Sequence, residues 1–438
     1  MTRQEIIFIV RSWPRLSQTF VLDEILGLER LGLPMHIVAL TAAHEAVVQA
    51  EVSSVQAPVD YLSERPERIR VVADHVRQAL VAPVRYLRAV ALALGRGERD
   101  EGYQTASRGQ RLTMAVRLAA LTRAHSRGDG AVPVHLHAHF AHDPAAVAML
   151  AHLLTGLPWS FTGHARDLWQ VAPAALAERV ASAQFTVTCS RAGADHVRAL
   201  TPAGRQSRIR LIHHGVDVER YLPGPAHQPA GPRLSIVSVG RLVEKKGFAD
   251  LLEALRLLVD RGYAPTCTIY GEGPLHDSLT ERAGQLGLST IVTFAGVRSR
   301  EELLPLLQRA DVFALTPYVT ADGDRDGIPN VIVEAMACAL PVVATSEAGV
   351  PEIVVDGLNG LLADPRDASG VADRLAAVAD DAALRARLGA EARRTVLAGF
   401  DARDRARELA ALFEPALDGL RQGVGHDVDG NPDTTRAP

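Results

Sequence analysis

Short continuous apolar runs recur along the chain, each followed by a loop and then by a segment with apolar residues at helical spacing. Ile6–Val10 is the first such run. A loop with Pro14 follows, then a helical-period segment, Phe20–Leu31, that stops at Gly32, and a second run, Met35–Leu40. A run apolar at every position suits a strand covered on both faces, as in a parallel sheet. Strand, helix and strand at this spacing therefore predict a βαβ unit. Val134–His139, Trp159–Thr162, Gln184–Thr188 and Arg208–His213 predict further short strands in the same half.

The pattern breaks at Gly224–Pro232, a Pro- and Gly-rich stretch without periodicity, and then restarts. Such a stretch reads as a linker. Beyond it, predicted strands (Leu234–Val239, Thr266–Tyr270, Thr290–Phe294, Val312–Leu315, Val342–Ala344) alternate with predicted helices (Phe248–Leu258, Leu275–Leu286, Glu301–Ala310, Val331–Cys338). That alternation predicts a second doubly wound α/β domain. A last helix is expected over Arg403–Phe413, with Pro415 as its stop, and the aperiodic tail from Gly419 as disordered. The expected division is 1–223, a linker at 224–232, 233–395, a closing helical segment at 396–418 and a tail at 419–438.

Composition narrows the class. The 438 residues suffice for two large domains, at roughly 100–200 residues each. A net charge of −4 argues against a nucleic-acid partner. The three cysteines, Cys189, Cys267 and Cys338, lie far apart without C-x-x-C spacing, which fits a reducing cytoplasm and no zinc site. No run approaches the ~20 apolar residues of a membrane span. One window departs from the average: Arg65–Arg127 carries thirteen Arg against five acidic residues, a net +8. Within it Val84, Leu87, Val90, Ala91 and Leu94 recur at helical spacing. A basic amphipathic helix of this kind suits an anionic membrane surface; a solvated helical face has the same pattern.

Four motifs carry chemistry. In V-G-R-L-V-E-K-K-G, Val239–Gly247, a strand ends at Gly240, and Arg241 and Lys246 follow in the loop. Ligands of open α/β sheets bind at strand carboxyl ends, and a planar guanidinium with a compact ammonium suits a diphosphate. In D-R-D-G-I-P-N-V-I-V-E-A-M-A, Asp324–Ala337, Gly327 and Pro329 mark a turn into a helix. Asp326 precedes that helix, and Glu334 lies inside it among apolar neighbours. Two such carboxylates can accept hydrogen bonds from a polyol, and a buried Glu334 needs a partner. G-E-G-P, Gly271–Pro274, follows another strand; Gly271 and Gly273 permit close approach of a ligand or simply make a tight turn. F-T-G-H-A-R-D, Phe161–Asp167, places His164 after a strand. The nearby His135, His137 and His139 share one face of a strand, a poor arrangement for a closed metal site.

Together these motifs make the C-terminal half resemble glycosyltransferase family 4, retaining enzymes of the GT-B fold. Gly240–Gly247 matches the family's G-R-x-x-x-x-K-G loop. Asp326 and Glu334 match its E-x7-E element, with Asp at the first position. Gly349–Val354 and Asp356–Gly360 also fit. The N-terminal half resembles a subgroup that builds bacterial exopolysaccharides and other cell-surface glycans, through Trp13–Ile25, His137–Ala141 and Phe161–Asp167; Gln18 stands where that pattern has Glu. The resemblance implies an α/β GT-B architecture of two Rossmann-like doubly wound domains facing a central cleft, with the last helix crossing back onto the N-terminal domain. It implies that Gly240, Arg241, Lys246, Gly271 and Gly273 line the donor diphosphate. Glu334 would hold the ribose, and Asp326 with the backbone at Gly327, Ile328 and Asn330 the donor sugar. His164 would contact that sugar from the other domain, and the Pro14–Thr19 loop would lie near the phosphates or the acceptor.

The implied activity is a metal-independent, retaining hexosyl transfer. The donor is a UDP- or GDP-linked sugar and is a substrate, so no cofactor is expected. The acceptor is a lipid-linked oligosaccharide or exopolysaccharide precursor at the cytoplasmic membrane face; a soluble natural product or polyol is the alternative. A dinucleotide-dependent oxidoreductase is disfavoured because no G-x-G-x-x-G follows any predicted strand. A non-catalytic sugar- or nucleotide-binding module shares the motifs but not the chemistry.

Overall fold

The computed structural model describes residues 4–45, 47–63, 68–95, 102–126, 131–224 and 233–423. The first sheet has strands β1 (Gln4–Trp13), β2 (Met35–Ala42), β3 (Val59–Tyr61), β4 (Val132–His139), β5 (Trp159–Gly163), β6 (Thr186–Thr188) and β7 (Ile209–Leu211). Their spatial order is β3-β2-β1-β4-β5-β6-β7, all parallel. Its helices are α1 (Thr19–Arg30), α2 (Arg68–Val81), α3 (Pro83–Gly95), α4 (Arg108–His125), α5 (Asp143–Thr155), α6 (Arg166–Gln170), α7 (Pro173–Ser182) and α8 (Arg191–Ala199). The second sheet has β8 (Arg233–Val239), β9 (Ala264–Tyr270), β10 (Val292–Phe294), β11 (Val312–Leu315), β12 (Val342–Thr345) and β13 (Leu361–Ala363), ordered β10-β9-β8-β11-β12-β13 and parallel. Around it run α9 (Phe248–Asp260), α10 (His276–Gln285), α11 (Arg300–Leu307), α12 (Asn330–Ala337), α13 (Ala368–Asp380) and α14 (Ala382–Gly399); α15 (Ala402–Gly423) closes the chain. In each sheet the strand order reverses beside the first strand, β1 or β8, which is where open α/β sheets bind ligands.

The alternation of side chains along β1 explains its unbroken apolar sequence. Ile7 and Ile9 enter one core with α4 and α5 residues such as Ala119 and Val147. Ile6, Phe8 and Val10 enter another with Ile25 of α1 and with Leu409 and Phe413 of α15. Both faces are thus covered. The C-terminal helix packs on α1, where Gly27 lets it approach: a Cβ there would lie 2.7 Å from Ala406 Cβ. The segment after β7 and the start of α15 cross side by side, with Val216 and Asp401 paired and reciprocal bonds Val216 N–Phe400 O at 2.9 Å and Ala402 N–Val216 O at 3.0 Å.

Several elements differ from the sequence expectation. α15 runs through Pro415 to Gly423, past both the expected stop and the expected start of the disordered tail at Gly419. Proline in a helix interior costs about 3 kcal/mol, and burial of Leu409 and Phe413 on the N-terminal sheet opposes that cost. Residues 424–438 of the expected tail, and all of the expected linker except Gly224, lie outside the described residues. α11 spans Arg300–Leu307 rather than Glu301–Ala310. β3 is a three-residue edge strand that no apolar run announces.

The face of β4 that joins the α15 core carries His135, His137 and His139, all fully buried. His135 and His137 bond the Ser160 hydroxyl at 2.7 and 2.8 Å, and His137 also meets Thr162 at 3.1 Å. Burial pushes His135 and His214 down to about 3 and His142 to about 4, and holds His137 and His164 well below the ordinary value. The unfolded chain therefore binds more protons than the folded one below pH ~6.5, and stability must fall as pH drops through that value. Glu334, raised by burial to about 7, and Asp167 and Asp250, also raised by burial, work in the opposite direction, three carboxyls against seven imidazoles once His75 and His196 are included. Urea midpoints measured from pH ~7.5 to ~5 should decline, by on the order of 1–2 kcal/mol per buried imidazole at pH ~5. A flat or rising profile would show that these rings are protonated in the folded state.

Candidate functional site

The loop after β8 is shaped by its glycines. Gly247 has φ +68°, and a Cβ there would lie 1.7 Å from Thr316 O, so no side chain fits. Gly271 (φ +139°) lies against Gly240, with its Cβ position 1.9 Å from Gly240 O. Gly273 packs equally tightly on Leu242 O, at 2.4 Å. The G-E-G-P turn is thereby pressed onto the β8 loop, and Gly240, Gly271 and Gly273 share one strand-end surface.

Arg241 on this surface is exposed, with no ion-pair partner among the described residues. Lys246 is placed differently. Its Nζ lies 2.6 Å from Asp326 Oδ2, inside the loop that leads to α12. Lys245, to which the sequence reading gave no role, is buried and reaches Asp324 at 2.9 Å, Arg325 O at 3.0 Å and Asp326 at 3.4 Å. Burial opposes ionisation of Asp326, but Lys246 and Lys245 hold its carboxyl below the usual range. Burial also lowers Lys246, which Asp326 offsets only in part. Two lysines thus face two aspartates at the end of β8. The sequence distinguishes them poorly, because Lys245 and Lys246 are adjacent and only the fold shows which one is locked inward.

The loop and first turn of α12 meet the N-terminal domain. A Cβ at Gly327 would lie 3.3 Å from Cys189 Sγ. Gly349 stacks on Gly327, its Cβ position 2.6 Å from Gly327 C, so the Gly349–Val354 stretch supports this loop from behind. Ile328 is buried beside it. The Asn330 side-chain amide lies 3.1 Å from His214 Nδ1. His214 Nε2 lies 3.2 Å from His164 Nδ1, His164 Nε2 3.3 Å from His139 Nδ1, and His139 Nε2 2.8 Å from Glu24 of α1. Proton positions follow from the Glu24 end. With Glu24 accepting, His139 donates from Nε2, and the neutral form of its ring then accepts at Nδ1. His164 and His214 then each donate from Nε2, and the Asn330 amide turns its NH2 toward His214, an orientation assigned from the network. Phe20 stacks on His214 at 4.2 Å between ring centres. Both nitrogens of His164 are therefore engaged, and its ring belongs to a relay from Glu24 to the first residue of α12.

Glu334 lies one turn beyond Asn330 on the same face of α12, and only 4% of it is exposed. Its Oε1 is 3.9 Å from Arg300 Nε, and Arg300 pairs through both terminal nitrogens with Asp23 of α1. Burial raises Glu334 to about 7, against the pull of Arg300. The Tyr221 hydroxyl is buried beside the Glu334 carboxyl and helps to hold it ionised. The structure therefore gathers Arg241, Lys246, Asp326 and the glycines at one strand-end surface, whereas Glu334 is covered by Arg300 and Asp23.

Other cross-domain residues had no signal in the sequence beyond their type. Glu352, in the Gly349–Val354 stretch, accepts from the backbone N–H of Arg191 and Ala192 at 2.6 and 3.0 Å, at the N-terminus of α8, and pairs with His213 at 3.3 Å. Gln49 accepts from Arg300 N at 3.1 Å and donates to Leu16 O at 3.3 Å. The Pro14–Thr19 loop is thereby tied to the start of α11.

Comparison with known proteins bears on this geometry. Residues 225–395 match the family model for glycosyl transferases group 1. The chain is 39% identical over 210 residues, 48% of its length and 52% of the relative's, to the putative colanic acid biosynthesis glycosyltransferase WcaL of Escherichia coli (strain K12). It is 34% identical over 210 residues, 47% and 51% of the two lengths, to the amylovoran biosynthesis glycosyltransferase AmsK of Erwinia amylovora. The chain thus spans about half the length of these curated relatives. The crystal structure of Anabaena HepE in complex with UDP and glucose superimposes with a TM-score of 0.68 at 18% identity, over 94% of this chain and 100% of that one. Two parallel sheets and this superposition give the chain a GT-B fold, and its residues 225–395 match the model for glycosyl transferases group 1.

Proposed function

We propose that the protein transfers a hexose, with retention, from a UDP- or GDP-linked donor to a hydroxyl of a lipid-linked oligosaccharide or exopolysaccharide precursor at the cytoplasmic face of the membrane. The observation that carries this reading is the open Arg241 beside the Lys246–Asp326 pair, on the glycine-lined end of β8 and inside the group 1 match. The names of WcaL and AmsK support the exopolysaccharide context, and the UDP and glucose of the HepE complex support the donor class.

In this proposal the diphosphate lies at the strand-end surface of Gly240, Gly271 and Gly273, whose missing side chains let the G-E-G-P turn and the β8 loop pack together beneath it. Arg241 binds it directly. Lys246 turns part of its charge from Asp326 toward the phosphate, and Asp326 then accepts a hydroxyl of the donor sugar. The Gly327–Asn330 backbone at the start of α12 faces the same sugar. His164 exchanges its bond to His214 for one to a sugar hydroxyl. Ribose access to Glu334 requires the domains to open, which separates Asp23 from Arg300.

The glycosidic bond from the anomeric carbon to the diphosphate oxygen breaks as the acceptor oxygen approaches on the same face. The acceptor proton passes to the leaving diphosphate. Asp326 and Glu334 serve as hydroxyl acceptors rather than as the paired acid and nucleophile of a retaining glycosidase. Charge on the leaving group is stabilised by Arg241 and Lys246, so the step needs no divalent metal.

Loss of one such preorganised donor costs on the order of 10²–10³ in turnover. Arg241→Ala and Lys246→Ala should each lower transfer by that amount, and proton NMR should show an α-linked product from an α-linked donor. Near-native rates in both variants, or a β-linked product, would contradict the proposal.

Ionised Glu334 accepts from the ribose hydroxyls with both oxygens, whereas protonation turns one of them into a donor and weakens the pairing. Because burial raises it to about 7, the donor KM should rise as pH falls from about 8 to about 6. Glu334→Gln should flatten that profile while raising KM throughout. An unchanged slope in Glu334→Gln would place the titration elsewhere.

A further inference from the structure

α2 and α3 carry large apolar residues on their outer faces, where an ordinary surface helix keeps its apolar stripe toward the core. Inward they present small or polar side chains, together with Tyr86, Val90 and Leu92 of α3, which pack on the core. Gln78 donates to Leu154 O at 3.2 Å, His75 meets the Tyr86 hydroxyl at 2.9 Å, and Ala89 and Ala93 are buried. Their outward sides are large and apolar. Ile69, Val72, Val76 and Leu80 follow one another at helical spacing on α2, with Ile69 74% and Leu80 77% exposed. Val84, Leu87 and Leu94 continue the face on α3, beyond a bend at Ala82 and Pro83. Of fifteen exposed large hydrophobic residues among those described, eight fall between Ile69 and Leu94. A contiguous apolar surface of this kind marks an interaction site.

The charges beside this face are of one sign. Arg70, Arg77, Arg85 and Arg88 are exposed among the apolar residues. Asp74 is the only acidic residue between Ile69 and Leu94, and it is half-buried. Apolar side chains bordered by arginine match an interface of acyl chains below anionic headgroups. A second copy of this chain would instead bring arginine against arginine. No helix among the described residues is long and apolar enough to cross a membrane, so contact through this face would be peripheral.

We propose that the outward face of α2 and α3 docks the protein on an anionic phospholipid surface, with Ile69, Val76, Leu80 and Leu87 entering the headgroup boundary and Arg77 and Arg88 engaging lipid phosphates. This deepens the membrane location proposed above but needs neither donor nor acceptor, so the two fail separately. Each basic residue near such a surface is worth about fivefold in binding.

Sedimentation with vesicles of phosphatidylcholine containing about one-third phosphatidylglycerol tests it. The full chain should pellet with these vesicles, remain in solution with phosphatidylcholine alone, and be released in part on raising salt from about 0.1 to about 0.5 M. Leu80→Ser/Leu87→Ser and Arg77→Glu/Arg88→Glu should each reduce the bound fraction at least about tenfold while retaining the native melting temperature. Failure to pellet with anionic vesicles, or two folded variants that pellet like the parent, would overturn the proposal. So would a dimer, measured by light scattering, that either variant converts to monomer, because the face would then belong to a second copy. Loss of transfer in Arg241→Ala with vesicle binding intact would leave this inference standing whatever becomes of the proposed chemistry.

Discussion

The candidate site depends on one largely covered cluster of charges, Lys245 and Lys246 against Asp324 and Asp326, of which Lys245 is buried. It ties the loop after β8 to the loop before α12, two segments about 80 residues apart in sequence that must meet at the switch point of the second sheet. Removing one member of a buried pair leaves the other charge unpaired, at a cost of about 3–5 kcal/mol. The cluster therefore fixes the distance between the strand-end glycines and the start of α12. It also divides the cations by role. Lys245 is buried against Asp324 and Arg325 O, Lys246 is held by Asp326, and Arg241 is exposed with no ion-pair partner among the described residues. A site that binds an anionic donor needs at least one cation without an internal partner, and the cluster supplies that contrast.

From the same loop the structure reaches across to the N-terminal domain through polar contacts. Asn330 meets the histidine relay that ends at Glu24, Arg300 joins Asp23 to Glu334, and Glu352 caps α8. Such contacts are individually modest, since a typical hydrogen bond contributes about 0.5–1.5 kcal/mol net. They can break and reform as a cleft opens, which a wide apolar interface could not do. Burial keeps His164 and His214 neutral, so the proposed exchange of partners would move no charge.

Legibility in the sequence followed chain distance. The β8 loop, the G-E-G-P turn and the entrance to α12 could be read because strand, loop and helix follow within a few residues, with glycines where backbone or ligand must come close. The alternation of apolar runs and helical segments was enough for both sheets except the short edge strands β3 and β13. The cross-domain partners were not readable: Glu352 lies 161 residues from Arg191, and Arg300 lies 277 from Asp23. Nothing local to a carboxylate says which distant N–H it will meet. Glu334 was read correctly as buried and in need of a partner, but not as covered by Arg300. On α3 the spacing of Val84, Leu87, Val90, Ala91 and Leu94 showed an amphipathic helix, yet periodicity cannot say which way it turns: Val90 packs on the core and the other four face outward. Pro415 misled because a local breaker was outweighed by tertiary packing of Phe413.

The central claim is that the end of β8 binds a nucleotide sugar through the open Arg241. Thermal unfolding in the presence of UDP- and GDP-linked hexoses tests it without knowledge of the acceptor. A ligand at about 100 times its dissociation constant adds ~2.7 kcal/mol to stability. At least one donor should raise the melting temperature of the native protein, and the same donor should leave Arg241→Ala unmoved at equal concentration. No shift with any nucleotide sugar, or an equal shift in Arg241→Ala, would contradict the account.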